Sequence, residues 1–277
     1  MVEIGKMNKL KIIKKVDFGV YLDGGKLGKI LLPRRDVPRK AQIGDELEVF
    51  IYLDSEDMLI ATIRKPYAMV GDFARLKVVA VNSFGAFLDW GLAKDLMVPY
   101  GEQRQKMRRD RWYIVRVYLD ELSQRIVASS KLDKFLDPEP TNFEIGQQVN
   151  LFVCEEHELG FRVVVEKTHW GMLYLSEIFQ PVKRGQEIAG YITNLREDGK
   201  IDVSLQKPGL KKVRDISKKI LQTLEEKGGK LPVSDSSSPE TIYNLFGVSK
   251  KTYKKAIGTL YKKRKILIED DFIALNR

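Results

Sequence analysis

The sequence predicts a mainly β chain closed by an α+β domain: three small five-stranded barrels in tandem, then three helices and a hairpin. Three observations carry this expectation. One spacing of glycine, leucine and a second glycine occurs three times along the chain. Short apolar runs separated by turn residues follow each occurrence, as strands do. The last quarter then changes to the 3.6-residue periodicity of helices.

The repeat sets the order of the elements, and repeats are sought first because missing one miscalls the fold. Gly5, Gly71 and Gly146 each stand five residues before a leucine (Leu10, Leu76, Leu151) and thirteen before a pair: Phe18-Gly19, Phe84-Gly85 or Leu159-Gly160. The runs LKII, LKVV and LFVC read as first strands. In the first two copies the match continues fifteen residues beyond the phenylalanine to Pro33 in ILLP and Pro99 in LMVP, then to FIYLD and RVYLD. The third copy is looser, but GYITNLREDGKIDVSL reads as a hairpin turning at Asp198-Gly199. About five strands per copy is the size of an OB-type Greek-key barrel, a closed sheet with few exposed edges. The expected domains are 1–66, 67–140, 141–210 and 211–277.

In the tail, Val213, Ile216, Ile220, Leu221 and Leu224 fall on one side of a helix over 211–226, which Gly228-Gly229 stops. Ser238, with Pro239 behind it, is placed to cap a second helix ending at Gly247, and Ser249 to cap a third. KILIEDDFIAL then forms a two-stranded hairpin. Three helices and a hairpin make the winged variant of helix-turn-helix.

The net charge of +10 is unevenly spread: 16 Lys/Arg against 8 Asp/Glu in 211–277, and net −3 in 141–210. Such an excess suits a polyanionic partner, because neutralised phosphates release counterions, though it equally serves solubility. No run approaches the ~20 apolar residues of a membrane span, and the N-terminus lacks a signal-peptide pattern. A cytoplasmic protein without a membrane partner is expected. Cys154, the single cysteine, sits in an apolar run and reads as packing. His157 and His169 lie in no metal-ligand spacing and read as solvated loop residues; the acidic clusters fall at predicted turns. No catalysis, metal site or cofactor is expected.

Binding residues do emerge. Phe18 with Tyr21, and Phe84 with Phe87, flank a glycine on a strand, the arrangement of a base-stacking platform unless one of each pair belongs to the core. On the third helix Tyr253, Ala256, Ile257 and Leu260 should face inward. Lys251, Lys255, Gly258 and Lys262 face outward, flanked by Lys250 and Lys254. That face suits phosphates rather than base edges, or simply water, since it bears no Asn, Gln or Arg.

With ILLP, LMVP and SPETIYNLFGVSKKTYKKAIGTLYKKRKILIED in view, the copies resemble S1-type domains, which are RNA-binding OB barrels. The order of three barrels and a winged helix resembles the conserved virulence factor B family of bacterial RNA-binding regulators. The resemblance implies stacking by Phe18, Tyr21, Phe84 and Phe87, with Arg64, Lys65 and Lys131 as basic contacts. The family's histidine position holds Leu31 and Met97. In the third barrel Leu159 and Arg162 replace the aromatics, leaving Tyr174, placed at the histidine position, and Lys207. The leading expectation is a non-enzymatic post-transcriptional regulator that binds single-stranded RNA. Two alternatives stay open: a DNA-binding regulator led by the winged helix, and a scaffold on ribosomes or RNA-decay machinery.

Overall fold

A computed structural model describes residues 2–54, 56–139, 142–178, 180–207 and 210–276, with backbone alone for 210–215. The chain divides into two compact units, Met1–Phe135 and Leu136–Arg277. The first holds two closed five-stranded barrels. Their strands are β1 (Met7–Val16), β2 (Gly19–Asp23), β3 (Lys29–Pro33), β4 (Glu46–Leu53) and β5 (Leu59–Thr62), then β6 (Phe73–Val81), β7 (Gly85–Asp89), β8 (Leu96–Pro99), β9 (Trp112–Leu119) and β10 (Ile126–Ser129). The third barrel, in the second unit, is built from β11 (Gln148–His157), β12 (Gly160–Val165), β13 (His169–Tyr174), β14 (Glu187–Leu195) and β15 (Ile201–Ser204). In each, the third strand pairs in parallel with the fifth and closes the sheet.

The repeated glycines follow from sterics. A Cβ on Gly19, Gly85 or Gly160 would lie 2.2, 2.3 or 2.1 Å from the carbonyl oxygen of Leu32, Val98 or Leu173 on the facing strand. No side chain fits there, so the second and third strands close only over glycine. The repeated leucines Leu10, Leu76 and Leu151 are buried in their barrels. A second repeat was not evident in the sequence: three residues after Pro33, Pro99 and Tyr174 stand Asp36, Glu102 and Glu177. In the first and third barrels the carboxylate accepts from a hydroxyl at the end of the fifth strand, Thr62 at 2.8 Å and Ser204 at 2.9 Å. In the second barrel the Ser129 hydroxyl instead donates to the backbone carbonyl of Glu102, at 3.3 Å.

The first two barrels share apolar core. Phe50 of β4 is fully buried and packs edge-on against Trp90 of the second barrel, ring centroids 5.6 Å apart. The connection between them is pinned too, Val70 N–H donating to Gly5 O and Tyr67 N–H to Trp90 O.

In the second unit the barrel is followed by α1 (Leu210–Glu226), β16 (Lys230–Leu231), α2 (Pro239–Phe246), α3 (Lys250–Lys262), β17 (Ile266–Ile268) and β18 (Ile273–Leu275). The expected caps form: Ser238 Oγ accepts from Thr241 N–H, Ser249 Oγ from Thr252 N–H, and Gly247 ends α2 in the left-handed conformation. Ile216, Ile220 and Leu224 of α1 pack against Tyr253, Ile257 and Leu260 of α3. The side chain of Val213, expected on that face, lies outside the described residues. The hairpin gains a strand not foreseen, β16, which pairs with β18 to give a three-stranded wing.

Candidate functional site

In the first barrel Val20 and Leu22 of β2 point inward, which turns Tyr21 outward, half-buried. Phe18 lies in the turn just before it, 56% exposed, and the two rings meet edge to face at 6.3 Å. Neither ring is sunk in the core. Leu31 lies opposite Tyr21 on β3. Arg64 is exposed, but its guanidinium is drawn to the buried Asp36, Nε to Oδ1 3.8 Å; Lys65 is exposed with no ion pair among the described residues.

The second barrel repeats this arrangement on β7. Phe84 is 70% exposed, Phe87 half-buried, and Met97 faces Phe87 across the strands. Here a cavity of about 570 Å³ opens along the seam between the first two barrels, lined by Tyr52, Phe84, Phe87, Trp90, Lys94 and Arg125 among others. Its walls carry fixed polar groups. Lys94 Nζ donates to the carbonyls of Leu53 (3.1 Å) and Asp54, and burial pulls its pKa below the lysine range. Arg125 and Asp57 form an ion pair between the two barrels' last hairpins. Tyr100, 42% exposed, was not marked by the sequence; its N–H donates to Phe84 O and its hydroxyl to Asn82 O, which fixes it beside Phe84. The arrangement presents flat aromatic faces next to cations, which suits stacking of unpaired bases with phosphates nearby. Lys131 is exposed but lies towards Glu102.

The third barrel departs from the pattern. Leu159 is 67% exposed, and Arg162 lies over the Trp170 ring at 3.6 Å. The register corrects the placement of Tyr174. Arg162, which occupies the position of Tyr21 and Phe87, pairs with Met172, so Met172 stands where Leu31 and Met97 do. Tyr174 pairs with Gly160, as Pro33 does with Gly19, and its hydroxyl accepts from Arg196, which also holds Asp202 at 2.8 Å. Lys207 is exposed just beyond β15. His169 is likewise corrected from a solvated position: it is 5% exposed, and its two nitrogens lie 2.8 Å from Thr168 Oγ1 and Glu139 O. His157 is exposed, yet it ends β11 rather than lying in a loop. Glu155 and Glu156 also belong to β11 and not to a turn.

On α3 the inward residues are as expected, but the lysine face is partly engaged. Lys251 pairs with Glu177 of the third barrel at 3.3 Å, Lys254 with Asp235 at 3.3 Å, and Lys250 Nζ donates to Ser236 O at 3.0 Å. Lys255 and Lys262 are exposed without ion pairs among the described residues. The Cys154 thiol is buried, which pushes its pKa up to about 12. Among the described residues there is no cluster of three or more metal-ligating side chains, and no helix long and apolar enough to cross a membrane.

Comparison with known proteins bears on both ends of the chain. Residues 4–64 match the S1 domain, and residues 218–275 match the CvfB-like winged helix domain. YitL of Bacillus subtilis is 27% identical over 280 residues, covering 96% of this chain and 91% of its own. Conserved virulence factor B of Staphylococcus saprophyticus is 27% identical over 255 residues, covering 85% and 81%. A crystal structure of a multidomain protein with nucleic acid binding domains from Streptococcus pneumoniae is 24% identical, covers 98% of both chains and has a TM-score of 0.40. With an S1 domain at one end and a CvfB-like winged helix domain at the other, the chain is similar to the conserved virulence factor B proteins over most of its length.

Proposed function

We propose that the chain is a non-enzymatic, cytoplasmic regulator that binds single-stranded RNA on the aromatic faces of its first two barrels. The observation that carries this reading is the exposure of Phe84 at the mouth of the seam cavity, repeated by Phe18 at the equivalent place in the first barrel. A phenylalanine held 70% in water does nothing for the core, whereas a base stacked on it contributes ~1–3 kcal/mol. Lys94, Arg125, Lys65 and Lys131 supply charge around the rings, and the winged helix adds affinity by tethering. The four spans 1–66, 67–140, 141–210 and 211–277 act as its domains. The third barrel, net negative and with Arg162 stacked on its own Trp170, serves as a protein-contact module for ribosomal or RNA-decay partners.

The test is the double variant Phe84→Ala with Phe87→Ala, assayed by RNA anisotropy in the full chain. Loss of one stacked base weakens binding roughly 5- to 150-fold while the salt dependence stays put. Unchanged affinity in a folded double variant overturns the reading. A DNA-led mechanism requires α3 to be free for a groove. Three of its lysines are held within the protein, which favours RNA on the barrels. Duplex DNA outcompeting single-stranded RNA would reverse that preference.

A further inference from the structure

The connection from β8 to β9 concentrates positive charge on the second barrel. Residues 104–111 carry Arg104, Lys106, Arg108, Arg109 and Arg111 against a single acid, Asp110. All five cations are exposed, Arg109 to 76%. Like charges this close repel, and a basic loop is ordinarily left loose so that its side chains spread into water. This one is pinned. Met107, in its middle, is buried in the second barrel's core, and Gln103 below it accepts from Met107 N–H at 2.9 Å while donating to Val98 O at 3.1 Å. Arg108 N–H donates to the Tyr113 hydroxyl at 3.0 Å. The far end is tied to β6 by Asp110 N–H to Val78 O and Val78 N–H to Arg111 O, both 2.9 Å, and by the Lys77–Asp110 ion pair at 2.8 Å.

Beside this frame stands Trp112, the first residue of β9, 52% exposed, with the Arg75 guanidinium 5.4 Å from its ring centroid. The core does not need this indole, because Val115 and Val117 of the same strand fill the interior. Four of the five cations are arginines, whose planar forks match phosphate oxygens and stack on flat rings in ways lysine does not. A fixed arginine frame next to an open indole is chemistry for a polynucleotide: the backbone meets the forks, and one base meets the ring. The order of the closed sheet, β10-β8-β7-β6-β9, sets β9 apart from the β7 rings by one strand, so this surface is separate from the Phe84 face.

We propose that the 104–111 loop, with Arg75 and Trp112, is a second RNA contact that grips the phosphodiester backbone of a single strand and stacks one base on Trp112. It rests on the reading of the chain as a single-strand RNA binder and adds a site to it. The experiment compares wild type, Arg108→Gln/Arg109→Gln/Arg111→Gln, Trp112→Leu and Phe84→Ala/Phe87→Ala in the full chain. The probe is fluorescein-labelled oligouridine over a salt series. The triple variant keeps Met107 and Gln103, and circular dichroism checks its fold. Each phosphate contact adds about 0.7 to the salt slope for single strands, so the triple variant loses about 2 from the slope. Trp112→Leu weakens binding at least about fivefold with the slope unchanged. If the triple variant keeps the wild-type slope and affinity while Phe84→Ala/Phe87→Ala binds more weakly, the loop proposal falls and the function stands. If the triple variant loses affinity only for an acidic polyglutamate competitor, the loop is a protein contact and the proposal falls. Absence of RNA binding by the wild type overturns the function itself, and this site with it.

Discussion

Phe50→Ala tests whether the first two barrels form one energetic unit. Phe50 belongs by sequence to the fourth strand of the first barrel, yet its fully buried ring lies in the same cluster as Trp90, Leu96 and Val98 of the second. Removing a buried phenylalanine costs about 3–5 kcal/mol, from lost transfer energy and the cavity left behind. With a urea m-value of ~2 kcal/mol per molar for a body of this size, the midpoint falls by about 1.5–2.5 M. Trp90 reports on the far side of the contact, so the measurement is urea unfolding followed by its fluorescence, with Trp112 and Trp170 replaced by phenylalanine. The expected result is one transition, shifted as a whole, although the substitution lies in the other barrel. Phe18→Ala, at an exposed ring, is the control and moves the midpoint by little. The reasoning is refuted if Trp90 unfolds at the wild-type midpoint in the Phe50 variant. That would mean the barrels melt separately and the shared core contributes nothing to either.

Two further outcomes follow from the packing and the charges. Gly85→Ala forces a methyl against the Val98 carbonyl and should destabilise by about 1–3 kcal/mol, whereas Gly101→Ala, with nothing within 4 Å, should be neutral or slightly stabilising; thermal melts of the pair check this. Burial pushes the Glu102 carboxyl upward, but hydrogen bonds from Lys134 and Ser129 outweigh it and hold its pKa below the ordinary 4.5. The stability this gives is present above the unfolded-state pKa and is lost as pH falls through the lower folded value, so Glu102→Gln should flatten the acid limb of a stability-against-pH curve. An unchanged acid limb in that variant would remove Glu102 from the account.

The barrels and caps were legible because their signals are local or periodic. The spacing of Gly5, Leu10 and Gly19 recurs because each position answers to a fixed steric demand inside one barrel. Ser238, Gly247 and Ser249 act on their own helices, so their residue types suffice to find them. What escaped depends on contacts distant in sequence. Phe50 looks like any inward strand residue, and nothing local says that it reaches Trp90. Two-residue β16 is too short to show a period. Carrying the family pattern over by sequence position puts Tyr174 at the histidine position, whereas strand register, which sequence sees poorly in a divergent copy, puts Met172 there. The aromatic pairs were legible from their place around a glycine; the cavity between the barrels was not, because it exists only once they share a core.

Charge counted by span misdirects attention in this chain. The span 211–277 holds most of the excess, but Lys250, Lys251 and Lys254 of α3 are engaged with Ser236 O, Glu177 and Asp235. Part of that charge therefore holds the helical domain to itself and to the third barrel, and is less available to a polyanion. The span 67–140 is only net +2, yet it places five cations and one acid within eight residues of a pinned loop. Salt screens charges beyond ~8–10 Å, so an approaching phosphate responds to the cluster within that distance and hardly to the domain total. A dense local field for a nucleic acid then belongs to the second barrel, the same barrel that carries Phe84 and the seam cavity. In the proposed function, stacking and phosphate contact converge on this one small body, with the winged helix as the auxiliary partner.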